Sequence, residues 1–510
     1  MTVHLTTAQV DRAAGVLLGM ACGDALGAGY EFGPPLGPDV PVTMTGGGSF
    51  GWAPGEWTDD TSMAIAIAEP AATGTDLRTE EARDRIAARW VGWAATAKDV
   101  GSQTRAVLSA ATRAAQARGA AEPTADDLAL AADAHHDRTR RSGGNGSLMR
   151  TAPVALAYLD DPDALVLVAH EVSAMTHHDP EAGEACALWC LAIRHAILHG
   201  ILNVRNGLAY LPEDRARVWA ARLDEAEAGQ PADFEHNGWV VQALQGAWSA
   251  ITTTVATDHD SSSLFAESSG ARSFIAGPLH FRLALEAAVR GGRDTDTVAA
   301  IAGALVGGLH GASAVPAQWR RTLHGWPGLR ARDLVRLGVL TARGGESDSA
   351  GWPADALLDY SEYKGRGALA RHPADEGVWL GGVDALDNLP GGVDAVVSLC
   401  RLGSAQVPAS GVAPSDHIQV WLIDESAPDK NPNLDFVLTD AAAAMEVLRA
   451  EGRTVLLHCV QAQSRTPAVA ALYGARLTGR TPTEALADIV ETLPKANPNR
   501  GFRAALERLR

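Results

Sequence analysis

Aromatic residues make up only 5% of this chain, a scarcity that argues against a β-sandwich, whose strands want aromatic and β-branched residues, and favours closely packed helices. Cysteine is sparse too. The five residues Cys22, Cys186, Cys190, Cys400 and Cys459 are scattered and odd in number, so they form no disulfide framework and point to a reducing, cytoplasmic compartment. Positive charge is also in deficit: 43 Lys and Arg against 61 Asp and Glu give −18, which excludes a general nucleic-acid surface and an anionic-membrane patch. No apolar run approaches the roughly 20 residues that span a bilayer. Residues 16–22 are apolar but lack the basic flank of a signal peptide. What is left is an ordinary globular composition, 46% hydrophobic and 20% charged, in 510 residues, enough for two or three domains.

The first 310 residues read as helix almost throughout. Apolar residues recur at three- and four-residue spacing over 8–22, 79–97, 164–175, 181–199, 216–228 and 240–252. Cys186 and Cys190, one turn apart in such a run, read as core. Two connections are long enough to carry function: 30–56, rich in Gly and Pro, and 253–272, rich in Ser, Thr and Asp. Gly303, Gly307, Gly308 and Gly311 would let helix backbones approach closely. Residues 341–355 read as a linker. Beyond it the pattern changes: short strands are predicted at 377–381, 393–399, 418–423 and 454–458, alternating with helices at 438–451 and 467–477. The expectation is a multidomain chain, an all-α domain over 1–340 followed by an α/β domain over 356–510.

Within the helical part, Thr58-Asp59-Asp60-Thr61 precedes one apolar helix and Asp294-Thr295-Asp296-Thr297 opens another. An Asp or Thr at a helix start is ordinarily a cap. Two such clusters are harder to assign that way, because crowded carboxylates repel one another unless a hard cation shares them. If they converge, Thr58, Asp59, Asp60, Asp294, Asp296 and Thr297 supply oxygens for two Mg²⁺ ions with open water positions, able to grip vicinal sugar hydroxyls and activate a water. Neither Cys nor His stands at spacings that would favour zinc. The glycine-rich turn Gly143-Gly144-Asn145-Gly146-Ser147 offers backbone N–H groups to a pyrophosphate.

These pieces together resemble the ADP-ribosylglycohydrolases, the class that includes dinitrogenase reductase-activating glycohydrolase. The resemblance covers about residues 8–320: the run from Gly15 through Asp24 to Gly27, Tyr30-Glu31-Phe32, Gly55 to Met63, Gly144 to Arg150, Thr176-His177, Asn237-Gly238 and Gly292 to Thr297. Arg293 departs from the family pattern without touching the acids. The resemblance implies an all-α helix bundle with a binuclear Mg²⁺ site held by Thr58, Asp59, Asp60, Asp294, Asp296 and Thr297. It also implies a cleft-mouth Glu31, substrate-binding roles for Asn145, Gly146, Ser147 and His177, and cleavage of an ADP-ribosyl glycosidic bond on a protein or small-molecule acceptor. Asp60, Asp296 and Glu31 all stand as candidates to take the water's proton.

In the second part, an apolar strand delivers Cys459 into the loop Val460-Gln461-Ala462-Gln463-Ser464, followed by Arg465, Thr466 and Pro467 at a helix start. Such a loop turns N–H groups toward its centre, the helix N-terminus adds positive potential, and both favour thiolate over thiol. Arg465 can fork onto two phosphate oxygens. Residues 377–510 resemble the dual-specificity class of Cys-based protein phosphatases. That resemblance implies Cys459 as nucleophile, Arg465 as phosphate binder, Thr466 as the hydroxyl beside the thiolate, His458 as its structural neighbour, and Asp424, with Asp429 in reserve, as general acid. Where the family usually has Gly, Ala462 stands here; a positive φ at that position would strain it. The expectation is a bifunctional hydrolase acting on an ADP-ribosylated and on a phosphorylated substrate. Two alternatives are a single glycohydrolase carrying a non-catalytic docking domain, and an ADP-ribose reader.

Overall fold

The computed structural model describes residues 4–254, 276–363 and 368–509, which divide into two compact units. Most of the long 253–272 connection expected from the sequence lies outside the described residues. In chain order the first helices are α1 (Thr7–Gly27), α2 (Asp59–Ala71), α3 (Glu80–Ala94), α4 (Ser102–Ala117), α5 (Ala125–Thr139) and α6 (Ala152–Ala157). There follow α7 (Pro162–Ala174), α8 (Pro180–His199), α9 (Glu213–Ala228), α10 (Val240–Thr253), α11 (Ala276–Arg290), α12 (Thr295–His310), α13 (Ala317–Thr322) and α14 (Ala331–Ala342). A small hairpin, β1 (His324–Gly325) and β2 (Leu329–Arg330), precedes α14. No helix among the described residues is long and apolar enough to cross a membrane.

The first unit is organised on α1 and α12. Almost every residue of both is buried, so neither is an amphipathic surface helix; both are central. They meet backbone to backbone. A Cβ on Gly19 would lie 2.4 Å from the Gly303 carbonyl oxygen, and one on Gly23 would lie 2.0 Å from that of Ala299. The close approach expected of the late glycines is thus observed, with α1 supplying the matching small residues. It carries Asp24, near the end of α1, to the first turn of α12.

Among the described residues, the second unit comprises 347–363 and 368–509 with 276–278 and 316–322. Its sheet has the order β3-β4-β7-β5-β6, from β3 (Leu369–His372), β4 (Asp375–Gly381), β5 (Ala395–Ser398), β6 (His417–Gln419) and β7 (Val455–His458). β4, β7, β5 and β6 run parallel, and β3 closes one edge antiparallel. Val397 and Leu457 pack with α15 (Leu434–Ala450) and α16 (Arg465–Thr478), while Val396 and Leu456 bury on the other face with Ala409 and Val412. Burial on both faces is why these strands read as continuous apolar runs. Helices α17 (Pro482–Thr492) and α18 (Arg500–Arg508) complete the unit.

Two expectations need correction. Residues 341–355 are not an open tether: α14 runs to Ala342, and from Ser347 the chain belongs to the second unit, with Trp352 buried under the Arg401 guanidinium, 4.3 Å from its ring centre. The strand predicted at 418–423 stops at Gln419, because β5 ends at Ser398 and offers no further partner. The Asn431 side chain takes over, accepting from the Ile423 amide (2.8 Å) and donating to its carbonyl (2.9 Å).

A Cβ at position 23 has nowhere to go, so Gly23→Ala should lower stability by about 2 kcal/mol. Gly92→Ala, on an exposed turn of α3 with open space around it, should be neutral or stabilising by up to about 1 kcal/mol. Thermal melts of the two variants against the parent check the contrast.

Candidate active sites

Helix α2 begins at Asp59, yet Thr58 makes no capping bond to it. The cap comes from α1. Asp24 accepts from the Thr58 amide (2.8 Å), the Thr61 amide (3.0 Å) and the Thr61 hydroxyl (2.6 Å), satisfying orphan donors of the first turn. That ties α2 to α1 and sets Asp60 facing the start of α12. Thr58 Oγ1 donates to Asp60 Oδ2 at 3.0 Å and lies 3.4 Å from Asp296 Oδ2. Asn145 Nδ2 donates to Asp294 Oδ2 (2.7 Å) and to the Asn237 carbonyl (2.8 Å), while Asn237 Oδ1 accepts from the Asp294 amide (3.2 Å).

Oxygens of Asp24, Asp60 and Asp296 lie within 4.8 Å of one another, and so do those of Glu31, Asp294 and Asp296. Two acidic stretches more than two hundred residues apart therefore form one buried cluster. Asp60 Oδ1 and Glu31 Oε2 are buried without a hydrogen-bond partner. Unsatisfied hard oxygens in such a set fit a dication with oxygen ligands, so the residues present suit the metal that this pattern implies. Asp24 stands apart in role: its acceptor capacity is engaged by the start of α2.

Burial is the main cause of the carboxyl pKa values here, and mutual repulsion adds to it. Asp24 is raised to about 6; Asp59 to about 8, by burial and then Asp99; Glu31 to about 9, by burial and then Asp294. Asp60 and Asp296 are held well above the usual carboxylate range. Asp294 is raised by burial against the opposing bonds from Asn145 and Thr297. Asp59 lies outside the two tight carboxylate groups, while the Thr297 amide donates to Asp296 Oδ1 (2.9 Å) and its hydroxyl lies 3.9 Å from Met149 Sδ.

Glu31 sits on a turn locked to α12. Phe32 and Arg293 both have positive φ, 63° each, and exchange bonds across it: the Phe32 amide donates to the Arg293 carbonyl and the Arg293 amide to the Gly33 carbonyl. Arg293, the departure noted in the sequence, is thus a structural clasp.

The glycine-rich loop differs from the open cradle expected. Its Asn145 amide donates to the Gly238 carbonyl, and the Val240 amide to the Gly143 carbonyl, so one edge of the loop is paired. Ser147 is buried, its hydroxyl accepting from the Cys186 thiol of α8 at 3.6 Å. His177 is also buried, its Nδ1 2.8 Å from Thr176 Oγ1 and its ring packed beneath Gly144 and Gly146; burial and then Arg150 hold it neutral. Gly146 lies against that ring. Sequence reasoning passed over Asp99, Gln103, which donates to the Ser142 and Thr176 carbonyls, and Trp239, 39% exposed beside the loop. None of these carries a spacing signal; an isolated loop Asp or Trp becomes visible only when the fold gathers it.

In the second unit Cys459 follows β7, the central strand, at its C-terminal end, where open α/β sheets bind ligands. It opens onto a cavity of about 430 Å³ that Arg465, Asp424, Ser464 and Tyr363 also line. The loop's carbonyls are pinned backward: that of Cys459 by His458 Nδ1 (3.2 Å), that of Val460 by the Val383 amide (3.0 Å), that of Gln463 by the Asn497 amide (2.6 Å). In a planar trans peptide the following N–H points the opposite way, so Val460, Gln461 and Ser464 turn theirs away from these anchors, as an anion cradle requires. Ala462 has φ +58°, the strained conformation considered above.

Arg465 Nη1 donates to the Leu399 (2.9 Å) and Leu422 (3.3 Å) carbonyls, and Nε, with no hydrogen-bond partner, is 3.7 Å from Asp424. Asp424 Oδ1 accepts from Ser464 Oγ (2.5 Å) and Asn499 Nδ2 (3.0 Å), which docks it on the loop; Asp429 is exposed on the 3₁₀ turn beyond. Thr466 is fully buried, its hydroxyl directed to the Gly381 carbonyl 3.5 Å away, and it is not among the residues lining the cavity. Ser464, two positions earlier, does line it.

The family model for ADP-ribosylglycohydrolase matches residues 5–348. An ADP-ribosylarginine hydrolase, Tri1, of Pseudomonas putida is 28% identical over 315 residues, covering 61% of this chain and 73% of that protein. The ADP-ribosyl-[dinitrogen reductase] glycohydrolase of Rhodospirillum rubrum is 27% identical over 315 residues, 61% of this chain and 89% of the relative. Dual specificity phosphatase 28 of Mus musculus is 33% identical over 119 residues, 23% of this chain and 69% of the relative.

Carboxyls raised on folding bind more protons in the native than in the unfolded state between about pH 4 and their folded values. Their stabilisation is present at low pH and lost as pH rises through about 6 to 9. The metal-free protein should therefore lose melting temperature from pH 6 to pH 8.5. Mg²⁺ should restore it, more at pH 8.5 than at pH 6. A thermal-shift grid of pH against Mg²⁺ reads both, and a flat profile with no Mg²⁺ response would refute the cluster's role.

Proposed function

The chain belongs to the ADP-ribosylglycohydrolase family, and from that premise we propose a Mg²⁺-dependent hydrolase of ADP-ribosyl-arginine bonds on protein whose second unit hydrolyses phosphate monoesters. The observation that carries the first half is the buried carboxylate cluster with its unpartnered oxygens on Asp60 and Glu31. The Pseudomonas putida relative, an ADP-ribosylarginine hydrolase, supports the arginine linkage, and the Rhodospirillum rubrum relative, which acts on dinitrogen reductase, supports a protein acceptor. Thr58, Asp59, Asp60, Asp294, Asp296 and Thr297 would hold two Mg²⁺ ions, which when bound supply charge for gripping ribose hydroxyls and acidifying a water.

The residues do the rest. Asp60 is fully buried and Asp296 almost so, which suits ligands; Glu31 is only partly buried as a residue, which suits a group that exchanges protons. Glu31 is therefore assigned the proton transfer. Water adds its oxygen to the anomeric carbon, the C–N bond breaks with its electron pair going to nitrogen, and the proton released by water passes by way of Glu31 to the leaving guanidine. Asn145 and Asn237 hold Asp294 in place, and the exposed Trp239 ring offers a stacking face to a base.

For the second unit, Cys459 attacks phosphorus, Asp424 protonates the departing ester oxygen, and Arg465 with the loop amides holds the phosphoryl oxygens; water then releases phosphate and returns the thiol. The pinned cradle and the docked Asp424 support this reading.

Incubation with an ADP-ribosylated arginine protein and an aryl phosphate, with chelator or thiol alkylator added in turn, tests both halves. Chelator should abolish ribosyl release alone, and alkylation phosphate release alone. Binding of ADP-ribose without release under any condition would make the first unit a reader; release without any aryl-phosphate turnover would make the second a docking module. Relief of left-handed strain at position 462, about 1–2 kcal/mol, roughly offsets the lost methyl burial and added chain entropy, so the loop closes with alanine in place. Ala462→Gly should change stability by less than about 1 kcal/mol and aryl-phosphate turnover by less than about fivefold.

A further inference from the structure

Behind the Cys459 loop lies a buried polar chain that the phosphatase reading leaves unused. Ser398 Oγ, on β5, is 2.6 Å from His458 Nε2 and 2.7 Å from His417 Nε2. All three residues are buried. The proton positions are fixed from both ends. The Ala409 amide can only donate, and it is 2.9 Å from His417 Nδ1, so that nitrogen is bare and Nε2–H donates to Ser398. At the other end the Cys459 carbonyl can only accept, so His458 Nδ1 carries a proton, 3.2 Å away. Burial pushes the His458 pKa down to about 4, which leaves the ring neutral and Nε2 bare. The Ser398 hydroxyl proton therefore points to His458.

We propose that Ser398 and His417 are positioning residues for the Cys459 nucleophile: they lock His458 in the tautomer whose Nδ1–H pins the Cys459 carbonyl backward and so aims the Val460 amide into the cradle. This rests on the phosphatase reading of the second unit. Without the Ser398 hydroxyl, His458 is free to take the other tautomer. Its bare Nδ1 would then face a carbonyl oxygen, and the peptide would lose the anchor that fixes its N–H. Other groups face the thiol from neighbouring elements: Arg465 on α16, Asp424 beyond β6, Cys400 beyond β5 and Tyr360 across the cavity. All of them stay unchanged in the variants below.

The test uses the full chain. The pH midpoint of Cys459 alkylation by iodoacetamide, read by peptide mass spectrometry, should rise by about one unit in Ser398→Ala, about tenfold less thiolate at a given pH on that limb. Ser398→Thr, which keeps the hydroxyl, should restore it. Nitrogen-15 NMR of the parent should find His458 protonated at Nδ1 and His417 at Nε2. A folded Ser398→Ala protein with an unmoved midpoint would overturn the proposal, and so would His458 protonated at Nε2; the NMR result decides alone if Ser398→Ala does not fold. A parent that turns over no aryl phosphate removes the phosphatase reading, while the tautomer and alkylation results still decide the relay.

Discussion

The contact on which the first unit depends is backbone against backbone. Gly15, Gly19 and Gly23 of α1 face carbonyls of α12 at distances no side chain could tolerate. Two helices that close hold their ends in fixed register, so Asp24 and Asp296 share one small volume and α2, capped by Asp24, brings Asp60 into it. Any residue larger than glycine along that seam would move acids apart as well as helices.

That convergence is costly by itself. Carboxylates out of water and near one another raise each other's pKa, and the surrounding amides, Asn145 and the threonines offset only part of this. The remainder is a standing demand for positive charge. A dication bound there would relieve that repulsion, so folding, proton uptake and metal affinity are coupled through it. Arg150 contributes at a distance: buried over the Trp90 ring at 3.9 Å, it is bonded to the Thr176 hydroxyl and feels Asp59.

The second unit meets the opposite requirement, donors gathered without acceptors. Carbonyls of the Cys459 loop are tied down behind it by a histidine and two amides, leaving N–H groups to face the cavity. Ala462 holds the left-handed turn that closes the loop, although glycine would do so with less strain. Trapping the loop between β7 and α16 makes that conformation tolerable.

The chain's sequence by itself determined the helical and the strand-alternating halves, because apolar periodicity is local and long helices and buried strands print it clearly. It also marked the two acidic stretches and the Cys459 loop as candidate sites, where residue type and short spacing suffice. Tertiary structure alone decided which acid is a cap and which is free: Asp24 looks no different from Asp60 until its oxygens meet the amides of α2. It decided that Ser464, and not Thr466, faces the cavity, that the strand after His417 ends early at a sheet edge, and that Asp99 and Trp239 belong near a site. It also decided that Ser398 and His417 stand in line behind the cysteine. Each of those facts depends on a partner dozens or hundreds of residues away, and hydrogen bonding and burial are properties of such pairs, which no local pattern encodes.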